Sequence, residues 1–536
     1  MTDFRSSHVG CKKGVIETIE NIILQNLRVS LVTIVIAYLL YAFLYAYIKR
    51  RHENQELEEF SYRHGCLPME AKVPYRWPLA LDVLKLQYDA LPSQRLLEFQ
   101  SKYFKIAPSM RLKLFGQTGY MTTDPKNIEA ILSTRFEDFG LGSRRDGLYP
   151  MLGEGIFTQD GMAWKHSRET LRRQFVRMQY QNTKVFDKAV ENLISTISSS
   201  GNTVVDLQPA FFMYTLTTTT SLIFGEPPDI QGQIEHIDID QSIFTDSFDY
   251  ASLISAMRIR LADLHWLYTP SKFKKACADV KRYAAYFVDV ALKDLAEIGE
   301  EAAFNKYPFI IDMYRDLKDA SLVRDQLVHV LIAGRDTTAC LMSWTIFLLI
   351  RHPAALRRLC DEVTAVLEEN EGVTRAQINK LPFLRCVLNE TTRLYPQLPV
   401  NVRVATKTTL LPKGGGPDGQ SPVLLPKGTG VGWSTYHMHR QTRIWGLDAE
   451  EFRPERWEES LEKKVGWGFL PFHGGPRICL GKDFALMEAS YGIVRLLQAF
   501  PNIRLPPDIA IEATGQEKQS LTLVVSSFDG CKVVLD

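Results

Sequence analysis

Residues 29–48 read VSLVTIVIAYLLYAFLYAYI, twenty positions without a formal charge. As a helix rising 1.5 Å per residue they span about 30 Å, the thickness of a bilayer's hydrocarbon core. Tyr38, Tyr41, Tyr45 and Tyr47 crowd toward the C-terminal half, and Lys49, Arg50, Arg51 and His52 follow at once. A core helix does not suit this terminal position, and a cleaved signal does not suit the length and the basic C-terminal flank. The pattern predicts a transmembrane anchor. Residues 1–28 are nearly neutral, with Arg5, Lys12, Lys13 and Arg28 against Asp3, Glu17 and Glu20. The positive-inside bias therefore places them on the luminal side and the body of the chain in the cytoplasm.

Residues 49–80 combine an acidic stretch (53–59) with Pro68, Pro74 and Pro78. Proline restricts its own φ and its predecessor, so this segment reads as a semi-rigid spacer. Beyond it, helix-compatible runs cover 161–182, 186–198, 283–298, 321–350 and 353–369, and a further helix starts near Pro382. Strand-like pieces are short: 110–115, 400–409, 423–426 and 521–527. The segment KGGGPDGQSP, 413–422, has turn chemistry and is expected to close a hairpin between two of them. Length alone favours about three domains. No Gly/Ser linker or repeat divides 81–536, however, so that region is expected to be one large domain.

Composition removes several classes. Lys and Arg number 63 against 62 Asp and Glu, without the basic surplus of a nucleic-acid binder. With 45% hydrophobic residues and no biased tracts, the chain is neither disordered nor fibrous. Its 8 cysteines lie scattered without a CxxC pair, a poor disulfide framework and a poor zinc site.

Four motifs carry chemistry. Phe472-His473-Gly474-Gly475-Pro476-Arg477-Ile478-Cys479-Leu480-Gly481 presents one thiol on a Gly/Pro loop just before a helix. A helix N-terminus stabilises a thiolate, and a lone thiolate suits axial ligation of haem iron; a buried structural cysteine is the plainer reading. Ala333-Gly334-Arg335-Asp336-Thr337-Thr338 interrupts an apolar helix with residues that can bond back to the i−4 carbonyl. Arg335 and Asp336 could equally be a solvated surface pair. Glu390 and Arg393 share a helix face at i, i+3, and Phe452-Arg453-Pro454-Glu455-Arg456-Trp457 offers a second arginine. Trp164 and Arg168, at i, i+4, could share one carboxylate of a ligand.

In this order and spacing the four resemble the cytochrome P-450 family. The longer stretches FGLG (139–142), LGEGIFTQDG (152–161), WKHSR (164–168), GGGPDG, MHR and FRPERW resemble its fungal subfamily that hydroxylates n-alkanes and fatty acids in the endoplasmic reticulum. The resemblance implies a mainly α fold: a large single domain, 81–536, with small β-sheets, preceded by the transmembrane helix. It implies a membrane-anchored monooxygenase with haem b, its iron held by Cys479. Trp164, Arg168, Arg403 and Arg477 match donors to the haem propionates. Asp336 and Thr337 match an acid–alcohol pair that relays protons. Glu390, Arg393 and Arg456 match a structural triad. Trp457 stands where Phe is usual, a change of packing. His473 stands where Asn or Ser is usual; near the thiolate loop it could tune the iron potential, and a surface substitution is the plainer reading. Expected partners are an NADPH-cytochrome P-450 reductase, with cytochrome b5 as a second donor, an apolar lipid-like substrate and the endoplasmic reticulum membrane. Arg168, Arg172, Arg173, Arg177, Lys463, Lys464 and Lys482 are expected to form the docking face. Tailoring of a secondary metabolite, or lipid binding without turnover, are the alternative readings.

Overall fold

The computed structural model describes residues 7–114, 116–178, 184–199, 204–225, 241–367, 373–458 and 461–535. The side chains of 1–32 and 35 lie outside the described set, as do the expected helix ends at 182 and 369 and the strand end at 115. The chain divides into two compact units, Met1–Leu67 and Pro68–Asp536.

The first unit is built on one helix, Ser7–Arg63. It runs through the apolar 29–48 segment, whose described side chains are mostly exposed, Phe43 by 71%. It also continues where a spacer was expected, because Lys49–Glu53 and Glu59–Arg63 pairs at i, i+4 bridge successive turns. Gly65, at φ +62°, ends it. The Gly65 N–H reaches Tyr62 O and the Cys66 N–H reaches Ser61 O, the two bonds of a Schellman stop. Among the described residues no single helix is long and apolar enough to cross a membrane.

The second unit is mainly helical. Its central helix, Ala320–Leu349, is buried along most of its length, as expected from the 321–350 run. It packs against Leu207–Phe224 so closely that a Cβ on Gly334 would sit 2.5 Å from Thr219 Oγ1. Leu207–Phe224 has no amphipathic period and carries four threonines in a row (217–220), so propensity argues against it. Burial on most sides overrides that preference. Thr215, Thr217 and Thr220 also donate hydrogen bonds of 2.8–3.0 Å to carbonyls one turn back. Helices Gln241–Arg260 and Ser271–Ile298 pack into one core cluster with the first half of the central helix. Helices Pro382–Leu394 and Lys482–Ala499 share a second cluster with its other half.

A five-stranded sheet runs Ser109–Leu114, Gln117–Thr122, Gly430–Ser434, Val400–Ala405, Phe139–Gly140. The Gln117–Thr122 and Gly430–Ser434 pair is parallel and the others are antiparallel. The expected strand 400–409 is two. Its first part joins this sheet, and Thr409–Gly415 turns through Pro417-Asp418-Gly419 to pair with Ser421–Leu425. The expected strand 521–527 is likewise a hairpin of Gln519–Leu521 and Val525–Ser527. A run of β-compatible residues does not mark where the chain reverses or changes partner; pairing decides that.

Candidate functional site

The cysteine loop is set by glycine geometry. Gly475 has φ +65°, and a Cβ there would lie 1.8 Å from Leu132 O, so no other residue fits. Ile478 N–H then closes on Gly475 O at 3.0 Å and Cys479 N–H on Phe472 O at 3.0 Å. Helix Lys482–Ala499 starts just beyond the cysteine. Cys479 has exposed surface, yet burial is the largest influence on its thiol and pushes the pKa up. The thiol is thus crowded by protein atoms while part of the residue stays accessible. The Gly481 backbone hydrogen bond, Arg168 and Lys482 pull the other way, so the expected stabilisation at the helix end is present but loses to desolvation. A thiolate here needs a further positive charge against the sulfur. Among the described residues no cluster of His, Cys, Asp and Glu forms a protein-built metal site.

Basic side chains from distant parts of the chain gather at Arg477 on the cysteine loop. Arg477 donates to Asp160 Oδ1 at 2.6 Å, Gln159 O at 2.9 Å and Ile156 O at 3.3 Å. Its guanidinium lies over Trp164 at 4.4 Å, and Arg168 approaches the same ring at 5.9 Å while donating to Ile478 O at 2.9 Å. Arg403 is buried, and its Nη1 donates to Asn401 Oδ1 and Val402 O. Burial, then Arg144 and Arg477, hold its pKa well below the usual value. Burial also lowers Arg144 and Arg477 to about 10. Asp160 is the carboxylate that offsets all three. Several guanidiniums against one carboxylate leave positive charge unmatched, which is where an anionic ligand group belongs. Arg144 is absent from the sequence candidates. No motif singles it out, and the fold brings it to Arg403.

Of the expected docking residues, Arg173 pairs with Asp316, Arg172 with Glu169 at 3.7 Å, and Arg177 donates to Gln174 at 2.5 Å. Lys463 and Lys464 are exposed on the short helix Leu461–Val465. Arg168 and Lys482 are the two whose charge reaches Cys479.

Glu390, Arg393 and Arg456 come together, and all three are buried. Arg393 Nε and Nη2 grip the Glu390 carboxylate at 2.8 Å each, and Arg456 Nε reaches it at 2.9 Å. Desolvation is the largest single influence on Glu390, but these arginines and the Arg453 N–H outweigh it and keep the pKa low. Trp457 does more than pack: it donates its indole N–H to Glu390 Oε2 at 2.9 Å. His439 carries the assembly onward. Its Nδ1 meets Arg393 O at 3.1 Å, and its Nε2 accepts the Leu470 N–H at 2.9 Å, just upstream of the cysteine loop.

On the central helix, Thr337 Oγ1 donates to Ala333 O at 2.6 Å, the back-bond expected at its position, and the helix continues through it. Arg335 and Asp336 are paired at 3.2 Å, but buried, not solvated. Arg335 also binds Asp249 of Gln241–Arg260, an exposed carboxylate. Burial pushes Asp336 up to about 6 against the pull of Arg335. Next to Thr338 lies Glu488, on the helix that leaves Cys479. It is buried, bonded to Thr218 and Thr338, and raised by burial to about 8. Sequence reasoning assigns it no role, since a Glu in that helix looks like any surface acid. Among the described residues no hydrogen bond or ion pair joins Asp336 or Thr337 to Cys479, Arg403 or Arg477.

A haem would fit these residues: its iron would supply a positive charge at Cys479, and its two propionates would supply the anions the arginines lack. The fold, the cysteine loop and its arginines thus fit a haem-thiolate protein. A profile of the cytochrome P-450 family matches residues 72–520. The chain is 42% identical over 497 residues to a cytochrome P-450 of Arthroderma benhamiae, covering 91% of this chain and 96% of that one. It is 40% identical over 439 residues to cytochrome P-450 52A5 of Candida maltosa, covering 80% and 82%. It is 36% identical over 524 residues to the cytochrome P-450 monooxygenase g430 of a Fusarium species, covering 94% and 90%. The chain belongs to the cytochrome P-450 family and is a haem-dependent monooxygenase, with a cysteine thiolate as the family's axial ligand.

Proposed function

We propose that Cys479 supplies that thiolate, that Trp164, Arg144, Arg168, Arg403 and Arg477 hold the propionates, and that the enzyme hydroxylates long-chain fatty acids or n-alkanes at the terminal carbon. The observation that carries the haem placement is the exposed Cys479 two residues from Arg477, which with Arg144 and Arg403 shares the single carboxylate of Asp160. The substrate class rests on the stretches 139–142 and 152–161 and on FRPERW, which resemble the alkane and fatty-acid hydroxylating subfamily.

When bound, the haem supplies the activation of O2 and the insertion of one oxygen atom into an unactivated C–H bond. The chain supplies protons and orientation. With its pKa at about 6, the Asp336 carboxyl exchanges protons at physiological pH. Thr337 Oγ1, now donating to Ala333 O, is the adjacent hydroxyl that passes them on. Arg335, shared between Asp336 and exposed Asp249, links that carboxyl to solvent.

The helix over 29–48 anchors the enzyme in the endoplasmic reticulum membrane as a single pass, with the catalytic domain in the cytoplasm. Its exposed Leu40, Tyr41, Phe43 and Leu44 are satisfied by lipid. Electrons come from an NADPH-cytochrome P-450 reductase, docking near Arg168 and Lys482, with cytochrome b5 as a second donor.

Spin-shift titration of the purified haem protein with fatty acids and alkanes of graded length tests the substrate class. Product analysis with added reductase follows. Tight binding of one length range with terminal hydroxylation is expected; no spin shift and no NADPH-dependent product from either series overturns it.

A further inference from the structure

His473 is not a surface substitution. Its ring packs edge-on against Trp433, centroids 5.5 Å apart at 77°, and its Nε2 lies 2.9 Å from Asn401 Nδ2. Its backbone has φ +66°, a left-handed conformation that His adopts more readily than most residues with a Cβ. A histidine held there, with both ring contacts made inside the protein, points to work for the imidazole.

The sheet register shows what that work is. Asn401 and Trp433 are directly opposed on neighbouring strands, and His473 contacts both. Arg403, two residues along from Asn401, lies on the same sheet face, with its guanidinium 5.6 Å from the Trp433 ring. Burial and the charges of Arg403, Arg144 and Arg477 keep the imidazole neutral, with a pKa of about 3. In the neutral ring Nε2 faces the Asn401 Nδ2, so it accepts that amide N–H in the tautomer that carries its proton on Nδ1. With its Nδ2 turned to His473, Asn401 presents Oδ1 to the Val402 N–H at 2.9 Å and to Arg403 Nη1 at 3.1 Å. A half-turn of that amide would set Nδ2 against Arg403, donor against donor. The acceptor on His473 favours the orientation in which Arg403 is held.

We infer that His473 is a positioning residue: through Asn401 it fixes the orientation of Arg403 and so aims one of the donors to a haem propionate. This rests on the reading of Arg403 as such a donor.

The experiment uses the full-length holoenzyme and reads haem transfer to excess apomyoglobin together with the ferric/ferrous midpoint potential. His473→Gly suits a φ of +66° and removes the acceptor. It should release haem about threefold to tenfold faster, the range expected from losing one hydrogen bond between neutral groups, and should shift the potential. Asn401→Ala should do the same, and covers the case where the glycine variant fails to fold. His473→Gln, which restores an acceptor, should recover both values. In an Arg403→Gln background, His473→Gly should add nothing. Wild-type haem release and potential in His473→Gly or Asn401→Ala, with fast release from Arg403→Gln, overturns the role of His473 and keeps Arg403 as a propionate donor. Wild-type release from Arg403→Gln overturns the propionate reading itself.

Discussion

The two arginine–carboxylate assemblies linked to the cysteine loop are completed to different degrees. Glu390 takes five donors: Arg393 twice, Arg456, the Arg453 N–H and the Trp457 indole, all at 2.8–2.9 Å. Arg144, Arg403 and Arg477 instead have Asp160 as their offsetting carboxylate, and Asp160 is itself half exposed. Identical residue types thus do opposite work. A network whose charges close upon themselves fixes the backbone, while one left short of negative charge is prepared for a ligand.

The largest effect is expected from Cys479→Ala. It should abolish the thiolate-type spectrum of the reduced CO complex and leave the Glu390 assembly folded. A preserved thiolate spectrum refutes the ligand assignment. Glu390→Ala should act on the other side of the comparison, costing about 3–5 kcal/mol because Arg393 and Arg456 lose a buried counter-charge. Denaturant unfolding of the holoenzyme measures it, and an unshifted midpoint removes the assembly from the structural core.

Asp336→Asn and Thr337→Ala should lower product formed per NADPH, by up to about 10²-fold for the carboxyl, with haem binding intact. Because the protonated fraction of Asp336 falls as pH rises through about 6, coupling in the parent enzyme should decline across that range. The asparagine variant should lose this dependence; unchanged coupling in either variant sinks the relay.

Acid should then weaken both assemblies. His439 in the closed network and His473 in the open one are each pushed by burial to about 3 from an ordinary 6.5. The unfolded chain binds the proton first, so stability is complete above about pH 6.5 and is lost as pH falls toward 3. Melting temperatures between pH 7 and pH 4 test the sign. The smallest effect is Trp457→Phe, which deletes one donor of five and should cost about 1 kcal/mol; an unchanged unfolding midpoint would make the indole a packing group only.

Much of the closed network is legible in the sequence, because Glu390 and Arg393 share a helix turn and Arg456 sits in a recognisable local motif. The Trp457 hydrogen bond is not, since an aromatic residue announces packing before it announces a donor. The open network is less legible. Trp164, Arg168, Arg403 and Arg477 stand in motifs, but Arg144 and Glu488 lie in segments with nothing local to mark them. The contacts of His473 are not legible, because a residue in a glycine-rich loop looks exposed until the opposing strand is in view. Helix Leu207–Phe224 escapes for a related reason: a helix buried on most sides has no polar face, so it has no period to detect.

What depends on neighbours along the chain is therefore written in the chain: the Gly475 turn, the back-bond of Thr337, the i, i+3 pair at Glu390 and the apolar run 29–48. Which charges meet, and which guanidiniums stay unmatched, was settled only when the helices and sheet came together. The same is true of the balance at Cys479, where burial outweighs the helix end. Electrostatic energy inside a protein depends on the distance and desolvation of groups brought from anywhere in the chain, and no local pattern encodes either.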